Sequence, residues 1–110
     1  MITRFALFEG TVKAGQTEAF RAAVLETILP RWKAMPGALD VRVSFTEDRD
    51  AGAPEYPLIL AVNYPDRETV ERALVSPERD KAREATEAVL ARFFEGRIHH
   101  HVTLANEFPL

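Results

Sequence analysis

Two stretches of the sequence are apolar on both faces when read with the two-residue period of a β-strand. In Ile2–Val12, Phe5 and Leu7 fall on one face and Ile2, Ala6 and Phe8 on the other; Arg4 and Glu9 interrupt towards the ends. Leu58-Ile59-Leu60-Ala61-Val62 has no polar side chain on either face. A strand of this kind needs cover on both sides, so both are predicted to lie in the middle of a sheet.

Two further stretches alternate and predict edge strands. Val41, Val43 and Phe45 alternate with Arg42, Ser44 and Thr46, and Ile98, His100, Val102 and Leu104 alternate with His99, His101 and Thr103. Between the strands lie helical patterns. Thr17 is expected to cap the first, with Glu18 in its first turn. Phe20, Ala23, Val24 and Ile28 point inward, with Leu25, Leu29 and Trp32 on a flanking row. Pro30 lacks an N–H and crowds the carbonyl of Glu26, so a kink is expected there, and Pro36-Gly37 ends the helix. Glu47–Pro57 reads as a loop. Asp66 caps a short helix reaching about Leu74. Ser76-Pro77-Glu78 opens a longer one to about Phe94, with Ala82, Ala85, Thr86, Val89, Leu90 and Phe93 inward. Gly96 is expected to stop it.

The order is strand, helix, strand, strand, helix pair, strand. Two strand–helix–strand units with right-handed crossovers put every helix on one side of an antiparallel sheet, in the spatial order 4-1-3-2. The expected fold class is therefore α+β and ferredoxin-like, as one domain over residues 1–110. A chain of 110 residues buries roughly 65% of its unfolded surface, enough for one core. The helices shield one face of the sheet. The other face keeps Phe8 or Phe5, and Ile59 or Leu60, and an apolar patch above about 400 Å² marks an interface. The expected cover is a second copy of the chain, sheet against sheet about a two-fold axis.

Charge and composition exclude several functions. With 14 basic and 17 acidic side chains the net charge is −3, and no basic block is interleaved with aromatics, so nucleic acid is not an expected partner. There is no cysteine, which removes disulfides and thiolate metal sites. No Ser–His–Asp arrangement, phosphate-binding glycine loop or nucleotide fingerprint is present. The apolar runs fall far short of the roughly 20 residues of a membrane helix, and no signal-peptide pattern is seen, so the cytoplasm is the expected compartment.

The run Arg4-Phe5-Ala6-Leu7-Phe8-Glu9-Gly10, Pro36-Gly37-Ala38 before the second strand, and Ser76-Pro77-Glu78-Arg79 at the last helix resemble the dimeric α+β barrel superfamily. That group includes EthD-like, antibiotic-biosynthesis monooxygenase-like and stress-responsive barrel proteins. The likeness covers nearly the whole chain, and its motifs are structural. It implies a homodimer. In the oxygenases and haem-degrading enzymes of the group, a pocket lies between helices and sheet within each subunit.

The candidate residues follow from these faces. His99, His100 and His101 are adjacent on a strand and cannot converge on one ion; no third ligand is identified for His99 and His101, so no metal is expected. If Val102 and Leu104 face the helices, His100 does too. It is then either a core-edge histidine bonded to backbone or a general base in the pocket. His99 and His101 would face the partner sheet. Trp32 and Tyr64, with Phe5 and Leu7, are the expected pocket lining, and a small apolar organic molecule the expected ligand, with no cofactor. The rival readings are a cofactor-independent monooxygenase on a phenolic or polyketide-like substrate, with His100 or Tyr64 handling a proton; a haem protein; and a structural or stress-associated dimer with a solid core.

Overall fold

The long first run forms β1 (Ile2–Val12) and takes antiparallel partners on both sides. On one side lies β3 (Leu58–Tyr64), which in turn pairs with β2 (Asp40–Phe45); on the other lies β4 (Phe94–Leu104). The sheet order is β2-β3-β1-β4, the ferredoxin-like arrangement that the element order predicts. This computed structural model describes Met1–Leu110, and its thinnest dimension of 21 Å is that of one sheet and one helix layer.

Register settles which residues face the helices. Phe8 lies opposite Leu58 and Ile98, Ala6 opposite Leu60 and His100, and Arg4 opposite Val62 and Val102. Strand side chains alternate between faces, so Ala6, Phe8, Leu58, Leu60, Val62 and Tyr64 enter the helix-covered core, where all are buried. Phe5, Leu7, Ile59 and Ala61 take the other face. They are only partly buried, because no part of the chain covers them.

The helices follow their start signals with one exception. Asp66 caps α3 (Arg67–Leu74) by accepting a 2.8 Å hydrogen bond from the Thr69 N–H, an interaction worth about 1 kcal/mol. Ser76 caps α4 (Pro77–Phe93) in the same way, from the Arg79 N–H. Thr17 does not cap. It is the first residue of α1 (Thr17–Ala23), preceded by Gln16, whose side chain makes no capping bond. The irregularity expected at Pro30 takes the form of a π-helical segment, Val24–Ile28, where the Leu29 N–H reaches back to the Val24 carbonyl. The α-helix resumes as α2 (Leu29–Lys33), with Pro30 in its first turn, where its missing N–H costs least. Leu25, expected on a flanking apolar row, is exposed.

Gly96 does not stop the last helix. The chain turns straight from Phe93, the last helical residue, into the extended Phe94. Gly96 instead sits inside β4, opposite Gly10, with φ of 155° and 152° respectively. A Cβ on either would strike the opposing backbone: Glu95 O and Gly96 Cα for Gly10, Glu9 O and Gly10 Cα for Gly96. Phe94 packs into the core beside Phe93, stacked on Phe20 at 6.1 Å.

Candidate functional site

Between the sheet and the helices lies a cavity of about 260 Å³. Its floor is sheet: Ala6 and Phe8 from β1, Leu60 and Val62 from β3. Trp32, at the end of the irregular helix, closes one side, its ring 6.3 Å from that of Phe8. Tyr64, Arg4, Arg79 and His100 bring polar atoms to this apolar space.

The structure thus brings Trp32, Tyr64 and His100 to one cavity. It does not bring Phe5 and Leu7 there. They lie on the far side of the sheet, opposite His101 and His99. The reason is parity: Arg4, Ala6 and Phe8 are the helix-facing set of β1, so their odd-numbered neighbours point away.

His100 makes no backbone hydrogen bond through its ring, so it does not take the first of the two roles open to it. Tyr64 is buried yet its hydroxyl has no protein partner, and no buried side-chain polar atom is both fully occluded and unpartnered. The hydroxyl therefore opens into the cavity that the residue lines. Burial pushes the Tyr64 phenol up from its usual range, against the pull of Arg4 and Arg79, so it stays a hydrogen-bond donor at neutral pH. His100 is lowered to about 4, first by burial and then by the charges of Arg4, Arg79 and His99. It is a neutral imidazole at pH 7.

This shift has a stability consequence. An unfolded histidine takes its proton near pH 6.5, and the folded ring near 4. Between these values the unfolded chain binds more protons, so stability is lost as pH falls from 6.5 towards 4. Solvent still reaches the ring at the cavity mouth, and screening holds the effect to about 1 kcal/mol or less. By NMR, the His100 ring is expected to remain neutral until close to pH 4, and His100→Gln to flatten the stability profile over that window. A ring midpoint near 6.5 would show that the site does not shield it.

Sequence reading passed over Arg4 and Arg79 as site residues. Arg4 had one available signal: its spacing puts it on the same face as Ala6 and Phe8. A wider groove of about 420 Å³ is lined by charges most of which already pair, Arg21 with Glu47 at 3.6 Å and Arg49 with Glu55 at 3.9 Å, while Asp48 accepts from the Arg49 N–H at 2.9 Å. On the uncovered face, His99 is bonded to Glu9 at 2.8 Å, with Arg97 at 3.3 Å from the same oxygen; His99, then Arg97, hold the Glu9 carboxyl below its usual range. No cluster of three or more potential ligands is placed to hold a metal ion, and no helix is long and apolar enough to cross a membrane.

Solved structures share this architecture. An EthD family protein from Bacillus halodurans superposes with a TM-score of 0.76 at 18% identity, over 96% of this chain and 99% of that one. The architecture they share is the ferredoxin-like fold. SnoaB, a cofactor-independent oxygenase from Streptomyces nogalater, matches with a TM-score of 0.63 at 17% identity, over 97% and 94% of the two chains. A dimeric protein of unknown function with a ferredoxin-like fold from Bacteroides fragilis matches with a TM-score of 0.60 at 14% identity, over 91% and 93%. No family model and no curated protein matches the sequence. At these identities the likeness to the three proteins is one of fold.

Proposed function

We propose that this protein is a homodimer that takes a small, largely apolar organic molecule into the cavity between helices and sheet of each subunit. The observation that carries this reading is the cavity: hydrophobic walls with a few converging polar groups, Tyr64 and His100 among them. Its 260 Å³ lies below the usual range of roughly 300–1,000 Å³ for ligand sites, which favours molecules of one or two rings. The dimeric neighbour of the same fold and the uncovered apolar sheet face support the pairing. Trp32 is the single tryptophan and lines the cavity, so its fluorescence reports occupancy directly. Titration with naphthol and related one- and two-ring aromatics is expected to change that emission saturably. An unresponsive Trp32 across the panel counts against the reading.

A second reading, cofactor-independent oxygenation of a phenolic substrate, is favoured by one further observation. The Tyr64 hydroxyl and the neutral His100 imidazole both lack protein partners and border apolar space, where a phenol's proton has a place to go. SnoaB, of the same fold, is a cofactor-independent oxygenase. Oxygen uptake with an anthrone and quinol panel separates the two. Uptake that His100→Ala abolishes supports catalysis; a flat trace with a ligand that demonstrably binds leaves a binding protein.

A further inference from the structure

Two guanidinium groups border the cavity without a carboxylate. Six arginine–carboxylate ion pairs engage Arg21, Arg49, Arg67, Arg72, Arg83 and Arg97, and none includes Arg4 or Arg79. Arg31, Arg42 and Arg92 also lack carboxylate partners, but they are exposed and water serves them. Arg4 and Arg79 are partly buried, where an unpaired charge is expensive. They also lie close enough to act on each other: the Arg4 guanidinium is made easier to deprotonate, first by burial and then by Arg79. Arg79 occupies the first turn of α4, just after the Ser76 cap, where the helix dipole disfavours a cation. Burial and like-charge proximity act against Arg4, the dipole acts against Arg79, and no carboxylate pairs with either. Glu87 is the one carboxylate lining the cavity, and it pairs with neither; Arg83 is held by Asp80 at 3.2 Å. Tyr64 adds an unpartnered hydroxyl that can donate, beside an aromatic wall at Trp32.

Resting on the reading of the cavity as a ligand site, we infer that its ligand is an aromatic oxyanion, a carboxylate or ionised phenol, whose ring lies in the apolar space beside Trp32 and whose charge is taken by Arg4 and Arg79 with Tyr64 donating. The planar guanidinium fork suits a delocalised oxygen pair, and the desolvated setting strengthens such charge-assisted bonds. The anion supplies the counter-charge that the fold withholds.

The test is a titration followed by Trp32 fluorescence, with naphthoate against its uncharged isostere naphthamide, and with nitrophenolate as the phenol-type arm. Wild type is expected to bind naphthoate or nitrophenolate at least about tenfold tighter than naphthamide, the scale of a charge-assisted hydrogen bond. The tighter of the two anions identifies carboxylate or phenolate as the preferred class. Arg4→Met and Arg79→Met, which keep much of the side-chain length, are each expected to lose about tenfold for the anion and to leave naphthamide affinity unchanged. His100, followed by NMR, should titrate at higher pH in the anion complex, a response that a merely structural arginine would not produce. Wild-type affinity no higher for either naphthoate or nitrophenolate than for naphthamide, or undiminished anion binding by both variants, overturns the inference while leaving the cavity a ligand site. Failure of every probe to bind overturns both.

Discussion

Leu7→Arg is expected to convert the protein from a dimer of twice 12.4 kDa to a monomer of 12.4 kDa, with its far-ultraviolet circular dichroism unchanged. Leu7 stands near the middle of the uncovered sheet face, between Ile59 of β3 and His99 of β4, with Phe5 and Ala61 one step along. In the proposed dimer this face meets its own copy, so one substitution enters the contact twice. Each buried, unpartnered guanidinium there costs several kcal/mol, enough to dissolve an interface of ordinary strength. In a monomer the same arginine points into water and disturbs nothing in the core. Ala88→Arg, on the exposed side of α4, is the matched control and is expected to remain dimeric. Light scattering after size exclusion reads both masses. A monomeric wild type, or a dimeric Leu7→Arg, defeats sheet-to-sheet pairing.

Gly96→Ala is the second large effect, and it acts on the fold. At φ 155° an alanine is strained, and its Cβ is driven against the Glu9 carbonyl and Gly10 Cα across the β1–β4 ladder. Backbone strain of roughly 1–3 kcal/mol combines with a clash that only backbone movement relieves. A total near 3 kcal/mol corresponds to a fall in Tm on the order of 15 °C for a domain of this size. Gly52→Ala separates the two causes. Gly52 also has positive φ, 82°, but its Cβ would meet open space. It is expected to cost about 1 kcal/mol, from conformation alone. If thermal melts show Gly96→Ala no worse than Gly52→Ala, close approach at the ladder is not what fixes glycine there.

What the sequence disclosed, and what it withheld, divides along a physical line. Features that depend on a residue's own chemistry were readable: strands apolar on both faces, the carboxylate of Asp66 before a helix, the Ser76-Pro77 start. Features that depend on a distant partner were not. Phe5 and Leu7 were expected in the pocket because a strand apolar on both sides carries no internal sign of which side faces the helices; pairing with β3 and β4 decides it. Gly96 resembled a helix stop because glycine also ends helices, and only the opposing Gly10 reveals the contact that requires it. Trp32, Tyr64 and His100 could be placed near one another from element order. Arg79 could not be found, and Arg4 only by sharing a face with Ala6 and Phe8, because a charged residue reads as solvated until the absence of its counter-ion is seen in three dimensions.

The wide turn at Val24–Ile28 bears on the cavity in a way that spacing explains. Phe20, Val24, Ile28 and Trp32 are all buried and recur every fourth residue. At 100° per residue, three such steps along a regular α-helix would drift about 120° around the axis and swing the last side chain off the core. A π turn advances less per residue and cancels much of that drift. One surplus amino acid in the first helix thus keeps the indole aimed inward. A shorter, more regular version of the same segment would gain hydrogen-bond geometry and lose its aromatic wall.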